Sequence, residues 1–363
     1  MNKVIFDIIH GFIEVDKITL SIIDTPEFQR LRNIKQLGAV HYVFPSANHT
    51  RFEHSLGVYY LAGELINNLK KNQPELKITD KEILLVKIAG LCHDLGHGPF
   101  SHLLDEILEE KNVENNKLIQ HEFRSIEILK YLVKKYNIAL TKQDITLISN
   151  LIYPNNIEIT KRHFLYEIVS NKRNGIDVDK FDYLKRDTFY LGMSFSLDCS
   201  RILKYARVID DRICYLDKSY YHILEMFEIR NKLHKQVYKH KTVLGIEFNL
   251  LNLINENEIL NSNDFLIPKN FCKYNDYNLI NLGLYEGINK REIYKSSFEI
   301  ENDNSIKLEN NLYKKKILKF GFKESPFNNI YFYNSNNLNK YFQINKDSLG
   351  NSQEIVFRFY KMN

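Results

Sequence analysis

His93 and Asp94 stand side by side in a stretch running from Ala89 to His102 that also contains His97 and His102. A neutral imidazole beside a carboxylate is a ligand pair for a borderline or hard divalent cation. His54 lies upstream in Asn48–Gly57, and Asp179 lies downstream in Asn171–Tyr183. Together they give two imidazoles and two carboxylates, which leaves room for water on a metal that prefers higher coordination, such as Mg, Mn or Fe, with Zn as a further candidate ion. Water on such an ion has a lowered pKa and can attack phosphorus. His97, His102 and His121 are the proton-transfer candidates, since an imidazole titrates near neutral pH, and Asp105, one turn beyond His102, is placed to orient it. Taken singly, each of these residues also reads as a satisfied core, capping or surface side chain; their order within these strings favours a site.

Helices must carry this set. From Arg51, the positions Val58, Leu61 and Leu65 share a helical face with His54, which turns that histidine inward. Thr79-Asp80-Lys81-Glu82 has the form of a capping box, and Leu84, Ile88, Leu91 and Leu95 continue as one stripe ending near Gly96, so the His-Asp pair sits at the end of a buried helix. Asp179, Tyr183, Arg186 or Asp187, and Tyr190 follow at three- and four-residue steps, and Arg230, His234, Tyr238 and Lys241 repeat the arrangement later. Polar side chains at core-like spacing suggest a lined cavity. Arg51, Lys180 and Arg230 are the cations that suit a polyphosphate, with surface charge as the plainer reading of the latter two.

Lys3 to Val15 reads as a β-hairpin turning at His10-Gly11, and Thr25-Pro26 as a helix start with Phe28, Leu31 and Ile34 at helical spacing. Beyond roughly Leu244 the composition shifts toward Asn, Lys and aromatic residues. There 302–305 and 334–337 read as loops, and Ile317 to Phe322, Ile330 to Tyr333 and Glu354 to Tyr360 as strands of a small α+β lobe. The expected division is 1–243 for a mainly α core and 244–363 for a lobe packed on it.

Lys+Arg 50 against Asp+Glu 45 gives a net charge of +5, enough for a local anion pocket and too little to argue for nucleic-acid coating. Nucleic-acid binding is therefore a secondary expectation. Four cysteines with no CxxC pair suit a reducing compartment. No signal-peptide pattern and no apolar run of about 20 residues is present, so the expectation is an intracellular protein off the membrane.

A histidine, a His-Asp doublet and a later aspartate, each on its own predicted helix, resemble the HD phosphohydrolases. The strings Ile22–Arg32, Phe52–Val58, Ala89–His102, Leu165–Lys180 and Tyr238–Lys241 more closely resemble the SAM-and-HD-domain deoxynucleoside triphosphate triphosphohydrolases, over about Lys3 to Lys241. The resemblance implies a metal site of His54, His93, Asp94 and Asp179, with His102 as general acid and His97 and His121 near the α-phosphate. It implies Arg51, Lys180 and Arg230 on the triphosphate, Gln36, Leu37, Tyr183 and Asp187 on the deoxyribose, and Tyr238 against its 2′ carbon. The implied reaction releases the deoxynucleoside and intact triphosphate from a dNTP, in a homo-oligomer (dimer or tetramer). GTP or dNTP activators would bind at Lys3, Val4, Asp24, Gln29 and Arg32, with Arg201 and Lys218 at a second nucleotide. Phe6, Leu216 and Lys239 depart from that pattern, and no SAM domain is expected. The competing readings are an HD nuclease or nucleotidase and a nucleotide-binding regulator.

Overall fold

The computed structural model describes residues 2–110, 117–154, 161–256, 264, 267–280, 286–299, 312–320, 325–344 and 353–360. It is mainly α-helical, with a two-stranded hairpin at its start and two small sheets further along. Strands β1 (Lys3–Asp7) and β2 (Gly11–Val15) pair antiparallel from Lys3↔Val15 to Asp7↔Gly11. Their alternation turns Ile13 and Val15 into the core and leaves Val4, Phe6 and Phe12 exposed. Asp7 closes the turn by accepting the Ile9 and His10 N–H groups, each at 2.9 Å.

Helix α1 (Lys17–Ile23) leads into α2 (Pro26–Gln29), whose N-cap Thr25 accepts the Phe28 N–H with Pro26 behind it. The expected stripe of Phe28, Leu31 and Ile34 is buried, but α2 gives way at Arg30 to a 3₁₀ turn, so a tighter coil carries it. Three helices then form the frame of the site: α3 (Arg51–Asn72), α4 (Asp80–Cys92) and α9 (Val178–Tyr190). Along α3 the residues Val58, Leu61 and Leu65 are buried, each burial contributing roughly 1.5–3 kcal/mol. The Thr79–Glu82 capping box starts α4: Thr79 Oγ1 accepts the Glu82 N–H at 3.1 Å and Glu82 accepts the Thr79 N–H at 2.8 Å, worth about 1 kcal/mol. Gly57 lets α9 approach α3, because a Cβ there would overlap the Asp182 carboxylate and the Arg186 guanidinium.

Between α4 and α9 run α5 (His102–Glu110), α6 (His121–Tyr136), α7 (Lys142–Ile152) and the single turn α8 (Tyr166–Val169). After α9 come α10 (Ser200–Lys204), strands β3 (Arg207–Ile209) and β4 (Arg212–Leu216), and α11 (Tyr220–Leu233). Helix α11 ends in a π-helical turn over His234–Tyr238 before α12 (Lys241–Glu256) starts. That break removes Lys241 from the expected row with Arg230, His234 and Tyr238: it opens the next helix, exposed.

The short helices α13 (Pro268–Phe271), α14 (Asp276–Ile280) and α15 (Glu286–Asn289) follow. Strands β5 (Lys295–Glu299), β6 (Leu312–Phe320) and β9 (Gln353–Tyr360) form an antiparallel sheet in the order β5-β9-β6. Strands β7 (Phe332–Asn334) and β8 (Asn337–Phe342) are joined by the turn expected at 334–337, and β7 pairs parallel with β4. The resulting sheet β3-β4-β7-β8 straddles the boundary expected between 243 and 244. The loop expected at 302–305 lies outside the described residues. Among the described residues no helix is long and apolar enough to cross a membrane, and Cys92, Cys199, Cys214 and Cys272 are all free thiols.

Candidate active site

The first turn of α3, the end of α4 and the first turn of α9 meet in space. His54 Nε2 lies 3.1 Å from Asp179 Oδ1 and 3.5 Å from Asp94 Oδ2, and His93 Nε2 lies 3.4 Å from both Asp179 Oδ1 and Asp94 Oδ1. The two rings meet edge to face with centroids 5.1 Å apart. Each imidazole is held from behind through its other nitrogen: His93 Nδ1–H donates to the Gly90 carbonyl at 2.7 Å, and His54 Nδ1–H donates to Asp182 Oδ2 at 2.7 Å. Both Nε2 atoms therefore face the carboxylates, the orientation that metal-ligating histidines take.

The charges agree. Burial pushes the His54 imidazole down, but hydrogen bonds to Asp179 and Asp182 overcome it and carry it up to about 10. His93 is likewise raised, burial being outweighed by Asp94 and Asp179. A field that binds protons this strongly also favours a cation. His93 Nε2 is buried without a hydrogen-bond partner, and donor atoms of His54, His93 and Asp179 lie within 4.8 Å of one another. Asp94 completes the ring, its carboxyl held well below the usual range: burial opposes ionisation, and Arg51, His93 and His97 overcome it. The donor set fits a divalent cation of mixed N and O preference.

The turn carrying His93 and Asp94 is pinned by α6. Ser125 Oγ accepts the Gly96 N–H at 2.7 Å and donates to the His93 carbonyl at 2.6 Å, and Arg124 Nε donates to the Gly96 carbonyl at 2.8 Å.

A second cluster lies on the far side of Asp94. His97, 1% exposed, places Nε2 3.3 Å from Asp94 Oδ1 and stacks on His121 at 3.9 Å between centroids. His102 stands edge-on to His97 at 4.9 Å, its side chain 71% exposed. Asp105 Oδ2 is 3.1 Å from His121 Nδ1 and 3.7 Å from His102 Nδ1, and the carboxylate also pairs with Arg124. The shorter contact makes His121, more than His102, the imidazole that Asp105 orients.

Both clusters border one cavity of about 550 Å³. Its walls include Gln36, Leu37, Arg51, Asp179, Lys180, Tyr183, Asp187, Arg230 and Tyr238. Arg51 Nη1 pairs with Asp94 Oδ2 at 2.6 Å, and Lys180 Nζ with Asp177 Oδ2 at 2.9 Å. The Nε of Arg230 is buried without a hydrogen-bond partner. Tyr238 Oη donates to Asp187 Oδ2 at 2.5 Å, and His49 Nε2–H donates to the other oxygen at 2.6 Å. Lys3, Val4, Asp24, Gln29 and Arg32 lie on β1, at the end of α1, on α2 and in the turn after it. Arg201 and Lys218 lie on α10 and before α11; none of these seven borders the cavity.

Several residues that support the site carry little or no signal in spacing. Asp182 accepts from His54, from His10 Nε2–H at 2.6 Å and from Arg186 Nε at 2.9 Å, while Arg186 Nη1 reaches Asp7 Oδ2 at 2.9 Å. Arg186, placed beside Asp187 on the expected polar row, thus turns away from the cavity. His49, Ser101 and Asp276 were equally silent. Asp182 alone had a local hint, lying one turn after Asp179.

Comparison with known proteins gives matching findings. The model of the HD domain matches residues 51–211. A deoxynucleoside triphosphate triphosphohydrolase, the SAMHD1 homologue of Dictyostelium discoideum, is 45% identical over 278 residues, covering 76% of this chain and 54% of that protein. The human SAMHD1 deoxynucleoside triphosphate triphosphohydrolase is 46% identical over 264 residues, covering 66% of this chain and 42% of its own length. An HD domain-containing protein of Acanthamoeba polyphaga mimivirus is 35% identical over 392 residues, covering 90% of this chain and 83% of that one. The chain thus spans about half the length of the two cellular relatives.

Proposed function

The chain belongs to the HD-domain family, and from that premise we propose that its cleft hydrolyses deoxynucleoside triphosphates, with a divalent cation, to the deoxynucleoside and inorganic triphosphate. The observation that carries this reading is that His93, Asp94 and Asp179, with His54 against Asp179 behind them, border the same cavity as Arg51, Lys180 and Arg230. The activity named for the Dictyostelium and human relatives supports it. His54, His93, Asp94 and Asp179 would hold a Mg, Mn, Fe or Zn ion, which would supply Lewis acidity and charge neutralisation at the α-phosphate. The three cations hold the triphosphate, with the Arg230 guanidinium free at Nε to do so. His102, open to the cleft, donates a proton to the leaving 5′ oxygen, while His97 and His121, the latter held by Asp105, flank the phosphate.

Gln36, Leu37, Tyr183 and Asp187 contact the sugar. Tyr238, fixed by its hydrogen bond to Asp187, lies against the 2′ carbon, so a ribose hydroxyl would have to displace a tethered ring. Tyr238→Ala is expected to raise kcat/KM for ribonucleoside relative to deoxynucleoside triphosphates. GTP or dNTP would activate through Lys3, Val4, Asp24, Gln29 and Arg32, with Arg201 and Lys218 on a second nucleotide, in an intracellular homo-oligomer. Residues 1–243 form the catalytic core and 244–363 the lobe packed on it.

The test is incubation of purified protein with each dNTP, with and without GTP, across Mg and Mn, reading out deoxynucleoside and triphosphate. Release of pyrophosphate or phosphate instead would favour a nucleotidase. Nucleotide binding without metal-dependent turnover would favour a regulator.

A further inference from the structure

We infer that Asp276, in the C-terminal lobe and outside the matched HD-domain segment, is a positioning residue that sets the Arg51 guanidinium beside Asp94. The inference rests on the function proposed above for its catalytic consequence, though not for its geometry. Asp276 is 5% exposed, and its two oxygens accept two backbone N–H groups from distant segments: Oδ2 takes Lys35 and Oδ1 takes Phe100, each at 2.8 Å. Arg51 is held by the next residue in each segment, donating through Nη2 to the Gln36 carbonyl at 3.2 Å and through Nε to Ser101 Oγ at 3.1 Å. Its remaining amino group, Nη1, reaches Asp94.

The two segments have reason to need a clamp. Phe100 and Ser101 hold φ of 59° and 58°, left-handed values that are strained for residues other than glycine. Gly38 approaches so closely that a Cβ there would meet the Phe100 carbonyl oxygen at 2.8 Å. Ser101 Oγ donates to the Lys35 carbonyl at 2.7 Å, a cross-link that also fixes the hydroxyl used by Arg51. An ionised carboxylate offers an acceptor oxygen on each branch and no donor, which is what two N–H groups arriving on separate oxygens require. Burial pushes the Asp276 carboxyl up to about 6, against the two amide hydrogen bonds, which leaves it ionised at neutral pH. The clamp itself is anchored to the core, since Arg30 donates to the Tyr274 carbonyl at 3.0 Å and lies 4.9 Å from the Phe271 ring.

Asp276→Asn keeps the shape and one acceptor; Asp276→Ala keeps neither. With dNTP as substrate, both should lower kcat/KM, by about 10–100-fold, the size of effect that a small misplacement of a binding group produces. Mn²⁺ affinity, measured by calorimetry, should stay within about twofold, because Asp276 touches none of the four ligands and lies beyond the partners whose loss weakens a metal site. In an Arg51→Lys background the further loss should shrink to less than about threefold, the non-additivity of residues acting through one another. A full additional loss there, or unchanged turnover with only a lower melting temperature, would overturn the inference. Absence of turnover by the unmodified protein would refute the proposed function instead. Amide exchange then decides: Asp276→Ala must deprotect both 34–38 and 98–103, and unchanged protection in either sinks the clamp.

Discussion

Around His54 and His93 the imidazoles are drawn toward the charged state, whereas around His97 the same ring is driven far from it. His97 is held well below its ordinary value by burial, by Arg51 and by His121, with Asp94 pulling weakly the other way. The difference follows from which charges face each ring. His54 has Asp94, Asp179 and Asp182 about it; the second cluster has Asp105 already taken by Arg124 and looks toward Arg51. Both groups offer nitrogen and oxygen atoms at ligand spacing, so spacing alone does not separate them. Electrostatics does: the second cluster sets the single Asp105 carboxylate against Arg124 and Arg51, whereas the first sets Asp94, Asp179 and Asp182 about His54 with Arg51 on Asp94 alone.

The largest expected effects break this comparison if they fail. His93→Ala and Asp94→Ala should each abolish turnover and Mn²⁺ binding while the protein stays folded by circular dichroism. Chelation should do the same to the unmodified protein, reversibly. His102→Gln should lower kcat by roughly 10²–10⁴-fold, the range for loss of a general acid, with Mn²⁺ affinity retained. Equal loss of Mn²⁺ binding in His102→Gln and His93→Ala would mean that the two clusters form one centre.

The asymmetry between the clusters was only half visible in the sequence. The His-Asp turn, the α3 stripe and the α4 capping box are local patterns, and local patterns survive as written because the turn and helix depend on near neighbours. Asp182 is different: its partners His54, His10 and Arg186 are brought together only by packing of α3, α9 and the hairpin, and Gly57 gives no warning that it makes room for them. Lys241 leaves its expected row for a related reason, since a π-helical turn has no signature in residue type and shifts every later side chain. Strands β3 and β4 leave no legible pattern because three and five residues are too few to establish a period.

A smaller effect sharpens the contrast from behind the first cluster. Asp182→Asn preserves the shape of the group that holds His54 and removes its charge. Metal affinity should fall by about 10–100-fold, and turnover should recover at high Mn²⁺. Arg186 keeps Asp7 as its second partner, so the protein should fold with a lower melting temperature. Unchanged Mn²⁺ affinity would show that Asp182 serves packing and not the histidine.

The smallest effect concerns His234, which borders the same cavity and stands edge-on to Tyr238 at 5.0 Å. Burial first, then Arg230, Lys239 and His102, push its imidazole from 6.5 down to about 3. A histidine lowered on folding binds fewer protons in the native than in the unfolded chain throughout that window, so it costs no stability above 6.5 and progressively more as pH falls toward 3. His234→Gln removes that linkage. Urea unfolding at pH 7.5 and pH 5.0 should therefore show the variant losing less stability on acidification than the unmodified protein. Parallel losses would mean that the neutral, cation-walled character of the second cluster stops short of His234.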